Sequence, residues 1–421
     1  MQLTPATRPS SLRARLGAAA CLLLAAGTPA VARAGSGATT QLDVTALLYG
    51  ERDRANVAEP TARFTRRFAD GQSLSAQFGF DVITGASPSG AAPAGTLQTT
   101  TSASGTVKTV PAGRIPLDAF RDSRYATDLE WQKPFLRSFL STLGGHFSRE
   151  KDYQSFGASG KLSVDLLQRR TTLTAGGGVN HDRVFPVGGI PAGLSDGSAG
   201  PLARAAPKDV STVMLGVSQV VTRRWLVGLN ATRTVERGYL SEPYKVLSVL
   251  DGVTGMPSGE RRERRPAGRM RSSLLASSVY HLAEDVLSLS YRHYRDDWRI
   301  RSHTLDARYR RELGGDRYLE PHLRLYSQGA ASFFRSGLVA GAPLPDYATA
   351  DYRMGAMRSV TLGATFGFRI GDRPGEWLVR AEYLGQTGEH HPSDAVGIQR
   401  QLDRFPALRI GSLLVGYSVE F

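Results

Sequence analysis

The chain has 421 residues, a formal charge of +14 and a single cysteine, Cys21. That cysteine lies in an apolar leader, so the remaining chain has no disulfide framework, catalytic thiolate or cysteine zinc site. Arg8, Arg13, Arg15 and Arg33 belong to the leader, and the other basic residues are spread among acidic ones. The charge is therefore no nucleic-acid footprint, and no nucleic-acid partner is expected.

In chain order, the leader comes first. Its basic residues precede an apolar run from Leu16 to Ala26, too short to span a bilayer as a helix. Ala32-Arg33-Ala34 has the small-x-small form of an export cleavage site. Residues 1–34 are expected to be a cleaved signal peptide and 35–421 a single domain. Beyond the leader no amphipathic helix and no membrane-length apolar run is evident.

What recurs instead is a period of two. Alternating segments are expected near 40–51, 60–68, 73–84, 122–133, 137–149, 152–166, 171–183, 209–221, 224–236, 269–281, 285–296, 299–313, 316–328, 356–370, 375–387 and 408–421. In RYATDLEWQ, Tyr125, Leu129 and Trp131 oppose Asp128, Glu130 and Gln132. In SVTLGATFGFRI, Val360, Leu362, Phe366 and Phe368 share one face. Several apolar faces carry an aromatic residue near an end, as a lipid-facing band bounded by aromatic girdles does.

Connections alternate as well. ADGQ, KPFL, TRR, AED, ELGGD and GDRPG are brief, as is the turn about Gln168 to Arg170. Those between are often long, at about 85–121, 184–208, 237–268, 329–355 and 388–407. The expected fold class is thus all-β: an antiparallel transmembrane barrel of about 16 strands with short periplasmic turns and long extracellular loops. Backbone groups in lipid must pair internally, which requires the sheet to close. The last strand, with Tyr417, Val419 and Phe421 on its apolar parity, resembles the C-terminal assembly signal read by the barrel-assembly machinery of Gram-negative outer membranes.

DVITGASPSGA (81–91), VFPVGG (184–189), EPYKVLSV (242–249), ERRPAGRMR (263–271), SYRHYRDDWRIRSHTLDARY (290–309) and EPHLRLYSQGAASFF (320–334) resemble a family of uncharacterised outer-membrane barrel proteins. The resemblance runs from about residue 40 to the C-terminus. It implies a barrel and an envelope location, and it supplies no site. Arg299 departs from it, since a glycine is expected after Asp-Asp-Trp.

Chemistry is sparse. Asp296, Asp297 and His303 could bind a hard cation, but a turn-closing aspartate with Trp298 as an interfacial anchor is the simpler reading. His390, His391 and Asp394 form a weaker candidate for zinc or proton relay. GASPSG lacks the second glycine of a nucleophile elbow, and no phosphate loop surrounds Gly160-Lys161, so no enzyme, metal or cofactor is expected. The arginines from Arg261 to Arg271 read as a loop, solvated or paired with lipopolysaccharide phosphate.

The polar parity is more informative. With the apolar parity toward lipid, Asp128, Glu130, Lys161, Asp165, Arg292, Asp306, Arg308, Arg310, Glu320, Arg324, Arg380 and Glu382 line a pore. Opposed charges across it select among small polar or anionic solutes. The alternatives are a charge-packed, non-conducting barrel that scaffolds an envelope complex, and a hydrolase with its site on distant loops. Oligomers are compatible with either barrel.

Overall fold

The computed structural model describes residues 37–101, 107–198, 200–371 and 374–421; the expected signal peptide lies outside the described residues. Its strands are β1 (Thr39–Glu51), β2 (Asn56–Arg67), β3 (Ser73–Pro88), β4 (Gln98–Thr101), β5 (Val107–Val110), β6 (Leu117–Phe135) and β7 (Phe139–Arg149). There follow β8 (Tyr153–Leu166), β9 (Thr171–Val184), β10 (Ala206–Thr222), β11 (Trp225–Gly238), β12 (Val246–Leu250), β13 (Pro257–Arg262) and β14 (Gly268–Leu282). The last are β15 (Asp285–Asp296), β16 (Arg301–Glu312), β17 (Tyr318–Gln328), β18 (Leu338–Val339), β19 (Met357–Phe368), β20 (Glu376–Gly388) and β21 (Leu408–Glu420).

Sixteen of them, all but β4, β5, β12, β13 and β18, form one closed antiparallel barrel. Alternation decides which face looks out. Leu129, Leu162, Leu173, Leu215, Leu229, Leu274, Leu289, Leu305, Leu323, Leu362 and Leu413 are exposed, and their sequence neighbours turn inward. An apolar belt this continuous is favourable only in lipid. Closure falls between β1 and β21: Val44 pairs with Tyr417, and Thr40 and Phe421 exchange N–H···O bonds of 2.7 and 2.8 Å. Tyr417 packs on Trp377 with ring centroids 4.8 Å apart.

The expected strands all exist, with shifted ends. β2 starts at Asn56 rather than near 60, because Pro60 interrupts pairing only on the β3 side, where the register skips Glu59 and Pro60. β3 and β6 run on together past the expected rim, as far as the Pro88–Leu117 pair. Non-glycine residues in the left-handed region, Leu136 and Arg137 among them, make several short turns tight.

Five long loops cover the opposite end and knit into a cap. The loop after β11 is its hub. β12 pairs with β13 and, in parallel, with β18 of the loop after β17. Ala92 N donates to Ser248 Oγ at 2.8 Å, and Leu194 N to Arg262 O at 2.9 Å. Gln399 Nε2 joins the loop before β21 to Pro93 O at 2.8 Å and to Gly255 O at 2.9 Å. Gly90 needs its positive φ, and a side chain there would strike the Val246 carbonyl. Two apolar clusters hold the cap: Leu240, Trp298, Ile300, Phe333 and Met354 in one, Leu194, Leu247, Leu338 and Ala348 in the other.

Candidate functional site

Strand alternation turns all the expected pore-lining residues to the parity opposite the exposed leucines, so their charges face the barrel interior. They fall in two groups. On the wall of β2, β6, β7 and β8, Asp128 meets His146 Nδ1 at 2.6 Å, and Glu130 lies 3.9 Å from Arg63. Lys161 on β8 and Asp165, which accepts from Thr172 at 2.7 Å, extend this wall.

The wall of β15 to β20 is denser. Asp306 Oδ2 accepts from Arg324 Nε at 2.7 Å and bonds His322 Nε2 at 2.9 Å, while the other ring nitrogen of His322 bonds Glu382 at 2.8 Å. Arg308 lies between Asp306 (3.4 Å) and Glu320 (3.6 Å). Arg310 pairs with Glu312 at 2.7 Å and covers the Tyr318 ring. Arg380 donates to Thr365 Oγ1 at 2.9 Å, and among the described residues neither Arg380 nor Arg292 makes a close ion pair. His322 and His146 complete these networks. The sequence reading missed both, although each stands on the polar parity of its strand.

Where strands meet the cap, buried carboxylates form a rim. Asp81 is matched by Arg124 at 2.7 Å, Asp182 by Lys208 at 3.2 Å, Glu236 by Arg271 at 2.7 Å and Asp296 by Arg269 at 2.6 Å. Beside them Asp122, Glu150 and Asp152 are all buried, with one carboxylate oxygen from each lying within 4.8 Å of the others. Burial first, and then the charges of Asp122 and Glu150, push Asp152 up to about 7. Local sequence offered only the i, i+2 acids of the turn; Asp122 arrives through strand pairing.

Inside the cap Arg265 is fully buried between Glu263 and Asp351, each 2.7 Å away. Burial works to raise the Asp351 carboxyl, but Arg353 and Arg265 hold it well below its usual range. Burial moves Lys245 the opposite way, down; its ammonium donates to Ser87 Oγ at 3.0 Å and to Pro88 O.

Here some sequence readings are corrected, while the expectation that an aspartate closes the turn after β15 holds. The Arg261–Arg271 run is not one solvated loop: Arg265 is interior, Arg269 and Arg271 face inward on β14, and Arg264 lies over Tyr347. Asp296 and His303 do not converge. Asp296 closes the turn by accepting from Ile300 N at 2.8 Å, while His303 is outward, bonded to Tyr291 at 2.6 Å. Trp298 is buried in the cap rather than anchored at the interface, its Nε1 donating to Gly268 O at 3.0 Å. His390 goes to Asp403 and Thr387, both at 2.7 Å, and Asp394 accepts from Ser336 N at 2.9 Å, so His390 and Asp394 are engaged by separate partners.

A family model described as Protein of unknown function (DUF3570) matches residues 13–419. No curated protein gives a significant match. Among solved structures the chain is similar to the outer-membrane protein OpdK from Pseudomonas aeruginosa, at 11% identity and TM-score 0.41, covering 91% of this chain and 99% of that one. It is similar to OccK2 (OpdF) of the same organism in complex with glucuronate, at 11% identity and TM-score 0.41, covering 91% and 98%. A BenF-like porin from Pseudomonas fluorescens Pf-5 matches at 7% identity and TM-score 0.41, covering 92% and 100%. Likenesses this low bear on no solute and no residue role in this chain.

Proposed function

The chain belongs to the family described as Protein of unknown function (DUF3570), and from the charges of its lumen we propose a porin-like outer-membrane barrel that passes small polar solutes and prefers anions. One observation carries the preference. Arg292 and Arg380 face the interior of the β15–β20 wall and make no close ion pair among the described residues, whereas the acids of that wall are engaged at short range by Arg308, Arg324 and His322. Guanidinium groups cannot deprotonate, and their planar N–H fork suits carboxylate and phosphate, so such a wall favours small anions. The acidic residues Asp128 and Glu130 stand on the other wall, which favours solutes with a dipole as well.

The apolar outer belt, the signal-peptide pattern and the apolar outward parity of β21 support export, delivery by the barrel-assembly machinery and residence in a Gram-negative outer membrane. The lipopolysaccharide contact moves from the Arg261–Arg271 run to Arg149, Arg183, Arg237, Arg295 and Arg301. These are exposed on the outward parity at the rim nearest the long loops. Replacing Arg295 and Arg301 by Glu is expected to weaken lipopolysaccharide retention by the purified barrel; unchanged retention sinks that contact.

A second reading is favoured by the cap, whose five loops bond to one another across the mouth. A sealed cap makes the barrel a non-conducting scaffold for an envelope complex. Single-channel conductance of the refolded barrel in a planar bilayer separates the two. Steady openings with an anion-selective reversal potential, weakened by Arg292→Ala and Arg380→Ala, support the channel. A folded but silent barrel removes it and leaves the scaffold.

A further inference from the structure

The rim triad offers something the lumen does not. Asp122 lies on β6, Glu150 just beyond β7 and Asp152 just before β8, and all three side chains are buried. Asp152 Oδ1 is shut off from solvent and receives no hydrogen bond. Leaving a buried carboxylate oxygen without donor or cation is expensive, and elsewhere on this rim the structure avoids it with Arg124, Lys208, Arg269 and Arg271.

We propose that Asp122, Glu150 and Asp152 bind one calcium-class divalent cation, which clamps the β7–β8 turn to β6 at the foot of the cap. The chemistry is that of a hard cation, since the donors are all carboxylate oxygens. Size favours calcium. Oxygens within 4.8 Å of one another fit around an ion with bonds of about 2.4 Å, whereas magnesium, at about 2.0–2.1 Å, requires a tighter octahedron.

The clamp reaches the cap through Asp152. Its carboxylate bonds Tyr244 of the loop after β11, and the Tyr244 hydroxyl accepts from Val187 N at 2.9 Å in the loop after β9. Phe185 N donates to the Asp152 carbonyl at 2.8 Å. An ion held by the triad therefore fixes the anchor of two long loops.

The test uses the mature barrel refolded in detergent without lipopolysaccharide, stripped with EDTA, and titrated with Ca²⁺ and separately with Mg²⁺. Calorimetry is expected to show one Ca²⁺ site, with Mg²⁺ weaker, and thermal unfolding is expected to rise by several degrees in Ca²⁺. Glu150→Gln and Asp152→Asn should each remove the binding heat and the Ca²⁺-dependent shift. In EDTA the same variants should unfold at or above the wild-type temperature, because each relieves repulsion among the carboxylates. Absence of a Ca²⁺ effect on the wild-type barrel overturns the proposal whatever the variants do. So does an undiminished effect in both variants, which places the ion elsewhere, or a Mg²⁺ response stronger than that to Ca²⁺.

Discussion

Arg265 Nη2 and Asp351 Oδ2 meet at 2.7 Å inside the cap, 86 residues apart in the chain, with neither side chain exposed. The pair joins the loop after β11 to the loop after β17, and Arg353 shares the same carboxylate at 2.6 Å.

Asp351→Ala leaves Arg265 and Arg353 buried beside the lost carboxylate. Breaking one side of a buried ionic network costs about 3–5 kcal/mol, and here the cost falls on the cap. The barrel ladder does not depend on it. Limited proteolysis should cut within 239–267 and 329–356, while the barrel keeps its resistance to unfolding by SDS at room temperature. Protected loops in the variant would show that the network does not hold the cap.

Arg299→Gly should stabilise the protein. Arg299 has φ 69° in the β15–β16 turn, where Asp296 closes the loop on Ile300 N. The left-handed conformation costs a residue with a side chain about 1–2 kcal/mol, partly offset by the greater unfolded-state freedom of glycine. A net gain of about 0.5–1 kcal/mol is expected, read from urea unfolding in detergent. This is the position where the family resemblance leads one to expect glycine.

Asp306→Asn should increase anion preference. The carboxylate holds Arg324 at 2.7 Å, His322 at 2.9 Å and Arg308 at 3.4 Å, and neutralising it frees the Arg324 guanidinium toward the lumen while Arg308 keeps Glu320 at 3.6 Å. One unit charge at contact range in a wet pore is worth about 1 kcal/mol, so the anion-to-cation permeability ratio should rise a few-fold. It is read from reversal potentials across a salt gradient. A fall would place these arginines away from the conducting path.

Neighbouring positions on β16 test the two faces. Leu305 is exposed on the lipid parity, and Thr304 is inward, paired with Arg292. Leu305→Arg should cost about 2–4 kcal/mol if this level lies near the bilayer midplane, measured by folding into lipid vesicles. Thr304→Arg should cost well under half of that, because the lumen face is polar. Equal penalties would contradict the outward assignment.

Sequence pattern alone determined the sixteen barrel strands, the short and long connections and the face each barrel residue takes, because the period of two is a local property of extended backbone; the short strands β4, β5, β12, β13 and β18 inside the long loops were not legible. Arg324, Asp306 and Glu382 were legible as interior charges on those grounds. Where interruption is local, as at Pro60, even the missed strand start has a signature in the chain. Which charges meet was not legible. His322 bridges Asp306 and Glu382 only because β17 is flanked by β16 and β19, and β19 in turn by β20. Likewise the parallel β12–β18 pair, the burial of Arg265 and the convergence of Asp122 on Glu150 and Asp152 join segments far apart in sequence. Such contacts depend on strand register and on how five loops share one volume, and no window of sequence contains either.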